Sequence, residues 1–311
     1  MKAVFFDEHG GPEVLQYGEV PDPIAGEGQV VVDVYAASVN GADWRVRAGT
    51  YRQARPSLPH ILGRDFSGVV SAVGAGADLA LGDPVFGVCD NAGGVILEGA
   101  YAEKIAMNAL ILARKPDRLS HVEAAAIALI GLTAVVSIED TLDVKPAETV
   151  LIQGGAGGVG GFAVQLAKHI GARVITTASA ANHAYVRQLG ADEIIDYDKV
   201  DFADVVSDCD AVFDTVGVDV IDRCYTVLKP GGRVASIAVG SELPPTSRDD
   251  IVLLRPSVHR DRPHLERVIG LVESGAVTLP EITVYPLREA SAAHRVSESR
   301  HLRGKLVLEV R

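Results

Sequence analysis

The sequence predicts an α/β protein that joins a mostly-β domain to a doubly wound parallel sheet. Three observations carry that reading. The chain has 311 residues, enough for two domains at about 150 residues each. From Met1 to about Arg118, valine-rich runs alternate with turn residues. From Ser120 onward, strand-like and helix-like segments alternate.

In the first part the turn signals are Gly10-Gly11-Pro12, Pro21-Asp22-Pro23, Gly26-Glu27-Gly28, Gly74-Ala75-Gly76 and Gly82-Asp83-Pro84. The clearest strands between them are 29–39 and 68–73, both rich in valine. The texture changes at Ser120-His121-Val122-Glu123, a capping box in which a hydroxyl and a glutamate satisfy the free N–H groups of a helix start. An apolar helix to about residue 136 follows. Strands are then expected at 149–153, 173–178, 193–196, 211–214 and 233–239. Helices are expected at 158–169, at 182–189 closed by Gly190, and at 219–228 stopped by Pro230-Gly231-Gly232. Strand, helix, strand in series implies right-handed crossovers and a parallel sheet covered on both faces. Another helix is read at 262–274. An alternating strand at 305–310, without an obvious partner, is expected to rejoin the β-rich half. The domains are therefore 1–119 with 260–311, and 120–259.

Composition narrows the function. Lys+Arg 29 against Asp+Glu 41 gives a net charge of −12, which repels phosphate backbones and anionic membrane surfaces, so neither nucleic acid nor membrane is expected as a partner. The three cysteines, Cys89, Cys209 and Cys224, form no ligand-like cluster and read as reduced thiols, which with no secretion signal suggests the cytoplasm. The longest apolar stretch, 124–138, is shorter than the about 20 residues a membrane span needs. Glycine is enriched, at 32 residues, so tight turns or close backbone approach are needed somewhere. There is no G-x-S-x-G elbow, no H-E-x-x-H and no P-loop.

The glycines concentrate where a strand meets a helix. Thr149-Val150-Leu151-Ile152-Gln153 runs into Gly154-Gly155-Ala156-Gly157-Gly158-Val159-Gly160-Gly161, and Gly155, Gly157 and Gly160 satisfy G-x-G-x-x-G. Between strand and helix this spacing permits a tight turn, close approach of N–H groups to a pyrophosphate, and helix packing on the strand. The dinucleotide reading names Gly155, Gly157, Gly158, Val159 and Gly160 as cofactor-binding. An NAD site carries a carboxylate about 20 residues on, which bonds the ribose 2′-hydroxyl. Here that place reads Thr176-Thr177-Ala178-Ser179-Ala180, with no carboxylate. NADP (as NADPH) is therefore the expected cofactor, with Ser179, His183 and Tyr197 near its 2′-phosphate and Arg187 a further candidate.

The chain resembles the zinc-independent quinone oxidoreductases of the medium-chain dehydrogenase/reductase superfamily. The likeness runs nearly end to end, through Gly10-Gly11-Pro12-Glu13-Val14-Leu15, Ser38-Val39-Asn40, Leu62-Gly63-Arg64-Asp65-Phe66-Ser67-Gly68, Gly131-Leu132-Thr133-Ala134, Phe213-Asp214-Thr215-Val216-Gly217 and Arg303-Gly304-Lys305-Leu306-Val307-Leu308. It implies a GroES-like catalytic domain and a Rossmann domain, with Thr133, Val216, Gly217, Ile237, Ala238 and Lys305 as further cofactor contacts. It also implies a homodimer paired through the strand at 233–239. Where zinc-dependent relatives carry Cys-x-x-Asp and Gly-His-Glu, this chain has Asn40-Gly41-Ala42-Asp43 and Gly63-Arg64-Asp65. Asparagine and arginine cannot replace a thiolate and an imidazole, so no metal is expected.

Without a Lewis acid, the feasible chemistry is hydride transfer to an already electrophilic quinone or conjugated carbonyl, which needs hydrogen-bond donors where negative charge develops. The candidate catalytic residues are Asn40, orienting the acceptor or the nicotinamide ribose, and Tyr51 or Arg47 near the carbonyl. The alternative for Asp43 and Arg47, four residues apart, is a surface ion pair; for Lys305 it is a solvated charge. Other functions kept open are a 2-alkenal or enoyl reductase of the same fold and a non-catalytic NADP-binding sensor. The acceptor itself is not legible, because its pocket involves loops at 90–99 and 241–250.

Overall fold

The computed structural model describes residues 1–51, 57–89, 99–217, 219–238 and 243–311. Residues 90–98, 241 and 242, in the two loops expected to shape an acceptor pocket, lie outside the described residues, as does Val239. The chain divides into two units: Met1–Leu129 with Arg260–Ile269 and Glu281–Arg311, and Ile130–His259 with Gly270–Pro280.

The first unit begins with β1 (Lys2–Phe6), β2 (Gln16–Glu19), β3 (Gln29–Val39), α1 (Gly41–Arg47), β4 (His60–Ile61), β5 (Asp65–Val73), β6 (Pro84–Val88), β7 (Lys104–Asn108) and β8 (Leu112–Arg114). A small antiparallel sheet has the order β2-β1-β4. β3, the longest strand, pairs antiparallel with both β5 and β7, so most of its valines are buried. Phe6, Val34, Phe66 and Tyr101 are central to the core of this unit.

α2 (His121–Val135) starts at the expected capping box. Ser120 N–H and Oγ donate to Glu123 Oε2 at 2.7 and 2.8 Å, and Glu123 N–H returns a bond to Ser120 Oγ at 3.2 Å. The helix does not stop near residue 136. It widens over Val136–Thr141, where Leu142 N–H reaches back five residues to Ser137 O, giving one helix of 21 residues, His121–Thr141. By length and composition that helix could cross a membrane, although its uncharged apolar run is still 124–138. The buried share of its most apolar window is 78%, the pattern of a core helix.

The second unit contains β9 (Thr149–Ile152), α3 (Gly158–Ile170), β10 (Arg173–Ala178), α4 (His183–Gln188), β11 (Glu193–Asp196), β12 (Cys209–Asp214), α5 (Ile221–Thr226), β13 (Leu228–Ser236) and β14 (Val252–Leu254). Its sheet is parallel throughout, with the order β11-β10-β9-β12-β13-β14. That is the doubly wound 3-2-1-4-5-6 order, and the winding reverses beside β9, where such sheets bind ligands at their carboxyl edge. Leu151, Val212, Cys224 and Val234 lie in its core.

Two expectations here need correction. β13 starts at Leu228, so Pro230-Gly231-Gly232 lies inside the strand and the preceding helix is confined to Ile221–Thr226. Gly231 takes φ 76° and the register with β12 shifts between Cys209 and Ala211, so an irregularity absorbs the three breakers. The strand expected at 233–239 ends at Ser236, and β14 pairs on its outer side, so β14 forms that edge of the sheet.

α6 (Arg262–Glu273) follows, and the chain returns to the first unit with β15 (Ile282–Pro286), α7 (Ala290–Glu298) and β16 (Lys305–Glu309). β16 lies between β15, parallel, and β3, antiparallel, with Leu306 opposite Val39. The tail strand thus has two partners that its own sequence did not reveal. The observed division between units falls at 129/130 rather than 119/120, inside the continuous helix α2, and 270–280 goes with the second unit.

Candidate active site

The residues singled out in the sequence fall into two groups, one in each unit. In the first, the strand order β16-β3-β5 puts the start of β16, the end of β3 and the start of β5 side by side. Lys305, Asn40 and Asp65 meet there although Lys305 and Asn40 are 265 residues apart. Asn40 Nδ2 donates to Asp65 Oδ1 at 2.7 Å and to Ser38 O at 3.4 Å, while Lys305 Nζ donates to Asn40 Oδ1 and, at 3.0 Å, to Val39 O. A flipped amide would set NH2 against an ammonium and oxygen against a carboxylate, so the orientation is determined. Asp65 also accepts from Ser38 Oγ at 2.7 Å and from Leu129 N–H at 3.2 Å.

These charges are deeply buried, Asp65 at 0% and Lys305 at 3% exposure. Burial is the leading influence on both: it raises the Asp65 carboxyl, and it lowers the Lys305 ammonium against the opposing pull of Asp65. Lys305 is therefore not a solvated charge. Asp43 is buried as well; its Oδ2 accepts from Asn40 N–H at 2.8 Å and from Tyr101 Oη at 3.2 Å, and its Oδ1 has no hydrogen-bond partner. Burial pushes its pKa up to about 6, with Arg64 the main opposing charge.

Arg47 departs furthest from its expected part. It is 1% exposed, and its guanidinium bonds Gly10 O at 3.1 Å, His294 Nδ1 at 3.0 Å and the Glu298 carboxylate. It is neither half of a surface pair with Asp43 nor available to a substrate carbonyl, because the helix face that carries it is covered by α7, which the sequence reading did not anticipate. An arginine can only donate, so His294 Nδ1 accepts and its Nε2–H faces Tyr101 Oη at 3.3 Å, which in turn donates to Asp43. Burial lowers the His294 pKa to about 3. Tyr51 follows α1, half-buried, and its Oη accepts from Arg64 Nη1 at 3.1 Å. Arg64, 6% exposed, is a site candidate the sequence reading noted only as an absent zinc ligand.

In the second unit the glycine loop leaves the carboxyl end of β9. Gly154 N–H donates to Thr177 Oγ1 at 3.0 Å and Gly155 N–H to Thr177 O at 3.1 Å, fixing the loop to β10. Gly157 caps α3 without a side chain, and the first helical bond runs from Gly161 N–H to Gly157 O at 2.7 Å. The N–H groups of Gly158, Val159 and Gly160 therefore have no carbonyl within the helix and form an anion-binding end. A Cβ on Gly160 would lie 2.2 Å from Gly154 O, whereas one on Gly157 would meet nothing nearer than that oxygen at 3.5 Å. Gly160 is needed for packing, and Gly157 leaves space in front of the donors. A pyrophosphate fits this cradle.

Ala178 pairs with Asp196, so Ser179 and Tyr197 follow the ends of adjacent strands. Ser179 Oγ accepts from Asn182 at 3.1 Å, and Tyr197 is exposed. His183 Nε2 meets Ala178 O at 3.2 Å; a carbonyl requires a donor, so a neutral His183 presents only a lone pair at Nδ1. Asp214, missed as a functional residue, organises the other edge. Its Oδ1 accepts from Val216 and Gly217 N–H at 2.9 and 3.0 Å, and Ser236 Oγ donates to its Oδ2 at 2.6 Å. Ile237 N–H bonds Asp214 O at 3.1 Å, and Ala238 N–H bonds Ser236 Oγ at 3.3 Å. Thr133 is buried on α2.

Two family models match the chain: an alcohol dehydrogenase GroES-like domain over residues 26–117 and a zinc-binding dehydrogenase over 189–308. Quinone oxidoreductase 1 of Escherichia coli K12 is 32% identical, with 97% of this chain and 98% of that protein covered. The chain belongs to the quinone oxidoreductase family of the medium-chain dehydrogenase/reductase superfamily. This family also fits a solved structure, Escherichia coli quinone oxidoreductase complexed with NADPH, at a TM-score of 0.90 and 30% identity over the full length of both chains. The chloroplastic NADPH-dependent alkenal/one oxidoreductase of Arabidopsis thaliana is 32% identical over 99% of this chain and 79% of its own length. Despite the second model's description, no group of three His, Cys, Asp or Glu side chains among the described residues is placed to hold a metal ion.

Proposed function

We propose that this protein is an NADPH-dependent reductase of quinones or other activated conjugated carbonyls, working without a catalytic metal. The observation that carries the reading is the α3 end, where three N–H groups without helical acceptors face a glycine cradle. An NADPH-bound relative of the same fold supports the choice of cofactor. Bound NADPH supplies the hydride. Gly155, Gly157, Gly158, Val159 and Gly160 hold its pyrophosphate, Ser179 and Tyr197 its 2′-phosphate, with His183 beside them but its Nε2 turned to Ala178 O, and Thr133 with the backbones of Val216, Gly217, Ile237 and Ala238 its nicotinamide side. The absence of a carboxylate at Ser179 removes the repulsion a 2′-phosphate would meet.

Asn40 has a narrower part than its residue type suggests. Both amide hydrogens are engaged by Asp65 and Ser38, so it acts as an acceptor, receiving a ribose hydroxyl at Oδ1 while Lys305 holds the amide in place. Asn40 and Arg64 stand where zinc relatives carry ligands and supply none, which supports metal independence. Reduction of alkenals and enones by the same site is the second reading, favoured by the Arabidopsis relative. The expected assembly is a homodimer joined through β14, the sheet edge. NADPH oxidation against a panel of quinones and enones tests the activity; calorimetry that finds no heat with NADPH would overturn the reading.

A further inference from the structure

Arg47, His294, Tyr101 and Asp43 are all buried in the first unit, and hydrogen bonds join them in that order although Arg47 and His294 are 247 residues apart. The guanidinium can only donate, which fixes the direction of every later link. His294 receives it at Nδ1 and donates from Nε2 to Tyr101 Oη at 3.3 Å, and Tyr101 donates to Asp43 Oδ2 at 3.2 Å. The hydrogen bonds therefore all point from a cation, which Glu298 balances on its far side, towards one carboxylate oxygen. That same oxygen accepts the Asn40 N–H at 2.8 Å, while Asp43 Oδ1 has no hydrogen-bond partner. Among the described residues, Tyr101 Oη and the Asn40 backbone are thus the donors that hold this carboxylate.

In such a chain each bond polarises and strengthens the next. Neither Tyr101 nor His294 changes charge near neutrality, because burial raises the phenol well above its ordinary range and lowers the imidazole to about 3. Asp43 does titrate there: burial raises it to about 6, Arg64 and Lys305 oppose that rise, and Asp65 adds to it. The Cys89 thiol, which also faces Asp43, is kept neutral by burial. We propose that Tyr101 and His294 are positioning residues for Asn40, acting through Asp43, whose carboxylate their aligned hydrogen bonds hold against the Asn40 N–H. Protonation of Asp43 weakens the bond that fixes the Asn40 backbone where β3 gives way to α1, and with it the place from which the amide meets Lys305 and Asp65. The consequence for coenzyme binding rests on the reading above, in which Asn40 Oδ1 receives a ribose hydroxyl.

The test follows the Asn40 backbone amide by NMR in coenzyme-free protein with isotope-labelled asparagine, and measures NADP⁺ affinity by calorimetry across the same pH range. In the wild type the Asn40 resonance is expected to titrate with a midpoint of about 6. Tyr101→Phe removes only the hydroxyl and is expected to make Asp43 bind its proton about tenfold more tightly, moving that midpoint up. His294→Leu is expected to move it up by less. His294→Gln, which keeps an acceptor for Arg47 and a donor for Tyr101, is expected to restore it. The ratio of wild-type to Tyr101→Phe affinity for NADP⁺ should be greatest between the two midpoints, about threefold or more, and fall away on either side. Titration of the coenzyme phosphate and of His183 cancels in that ratio, and a merely structural tyrosine gives a ratio independent of pH with no change in midpoint. An Asn40 midpoint unchanged in Tyr101→Phe overturns the proposal; should that variant not fold, equal midpoints in His294→Leu and His294→Gln overturn it. A raised midpoint with a pH-independent affinity ratio supports the positioning chain and defeats the ribose reading of Asn40 instead.

Discussion

Asn40 donates to Asp65 at 2.7 Å across adjacent strands, so an amide at the end of β3 is oriented by a carboxylate at the start of β5. Asp65 in turn compensates the buried ammonium of Lys305. Asp65→Asn removes that compensation and leaves a cation in a low-dielectric interior. Leaving a buried charge uncompensated in this way costs about 3–5 kcal/mol. A denaturant midpoint that does not move would contradict that compensation.

The two loop glycines should separate packing from binding. Gly160→Ala drives a methyl against Gly154 O and is expected to lower both the thermal midpoint and NADPH affinity. Gly157→Ala has room in the fold and should keep the thermal midpoint, while weakening NADPH about tenfold or more by crowding the phosphates. Calorimetry on the two purified variants reads the difference. Equal affinity in Gly157→Ala and wild type would place the pyrophosphate elsewhere.

How far the sequence spoke differs between the two groups. The glycine loop was legible because strand, turn and helix are contiguous and each glycine's spacing has a local reason. The Asn40, Asp65 and Lys305 cluster was not, because it depends on which strands neighbour β3, and register is a tertiary fact. Arg47 was misread for a related reason: spacing of four places it on one face of α1 with Asp43, but whether that face meets solvent depends on α7. The breakers Pro230-Gly231-Gly232 pointed to an end of structure, yet a bulged parallel strand accommodates them. Asp214 lay in a recognised motif, and its bonds from Val216 and Gly217 N–H are local, but the one from Ser236 Oγ appears only when β12 and β13 are adjacent.

His294 gives a stability signature with a definite sign. Its pKa is about 3 in the folded protein against 6.5 when exposed, with burial the first cause and Arg47 the second. The unfolded chain therefore binds the extra proton across that window, and the stability contributed by neutral His294 is fully present above about 6.5 and lost as pH falls towards 3. Gln in its place retains an acceptor for Arg47 and a donor for Tyr101 without titrating. The stability difference between wild type and His294→Gln should shift in favour of the variant as the pH is lowered through this range. A difference independent of pH, in denaturant titrations at constant ionic strength, would show that folding leaves the His294 pKa unshifted.

His183 offers a gain rather than a loss. Its Nε2 is turned to Ala178 O, so the neutral ring has no N–H for an anion. His183→Lys supplies a permanent cation beside Ser179, and about a fivefold gain in NADPH affinity with little change for NADH is expected from one partly solvated charge-assisted bond. Paired titrations with both coenzymes check it; equal gains would separate His183 from the 2′-phosphate.

The position of β16 affects how the protein is made. A ribosome produces β3 and β5 long before the strand that pairs with β3 on its other side and carries Lys305. The β-rich unit, though its first segment is translated first, remains unfinished until the closing segment emerges, with residues 36–39 of β3 unpaired on one flank beyond β7 and the carboxylate of Asp65 lacking the charge of Lys305. Premature stop codons near residue 300 should thus damage the earliest-synthesised part of the molecule, leaving an open β edge that chaperones and proteases can engage.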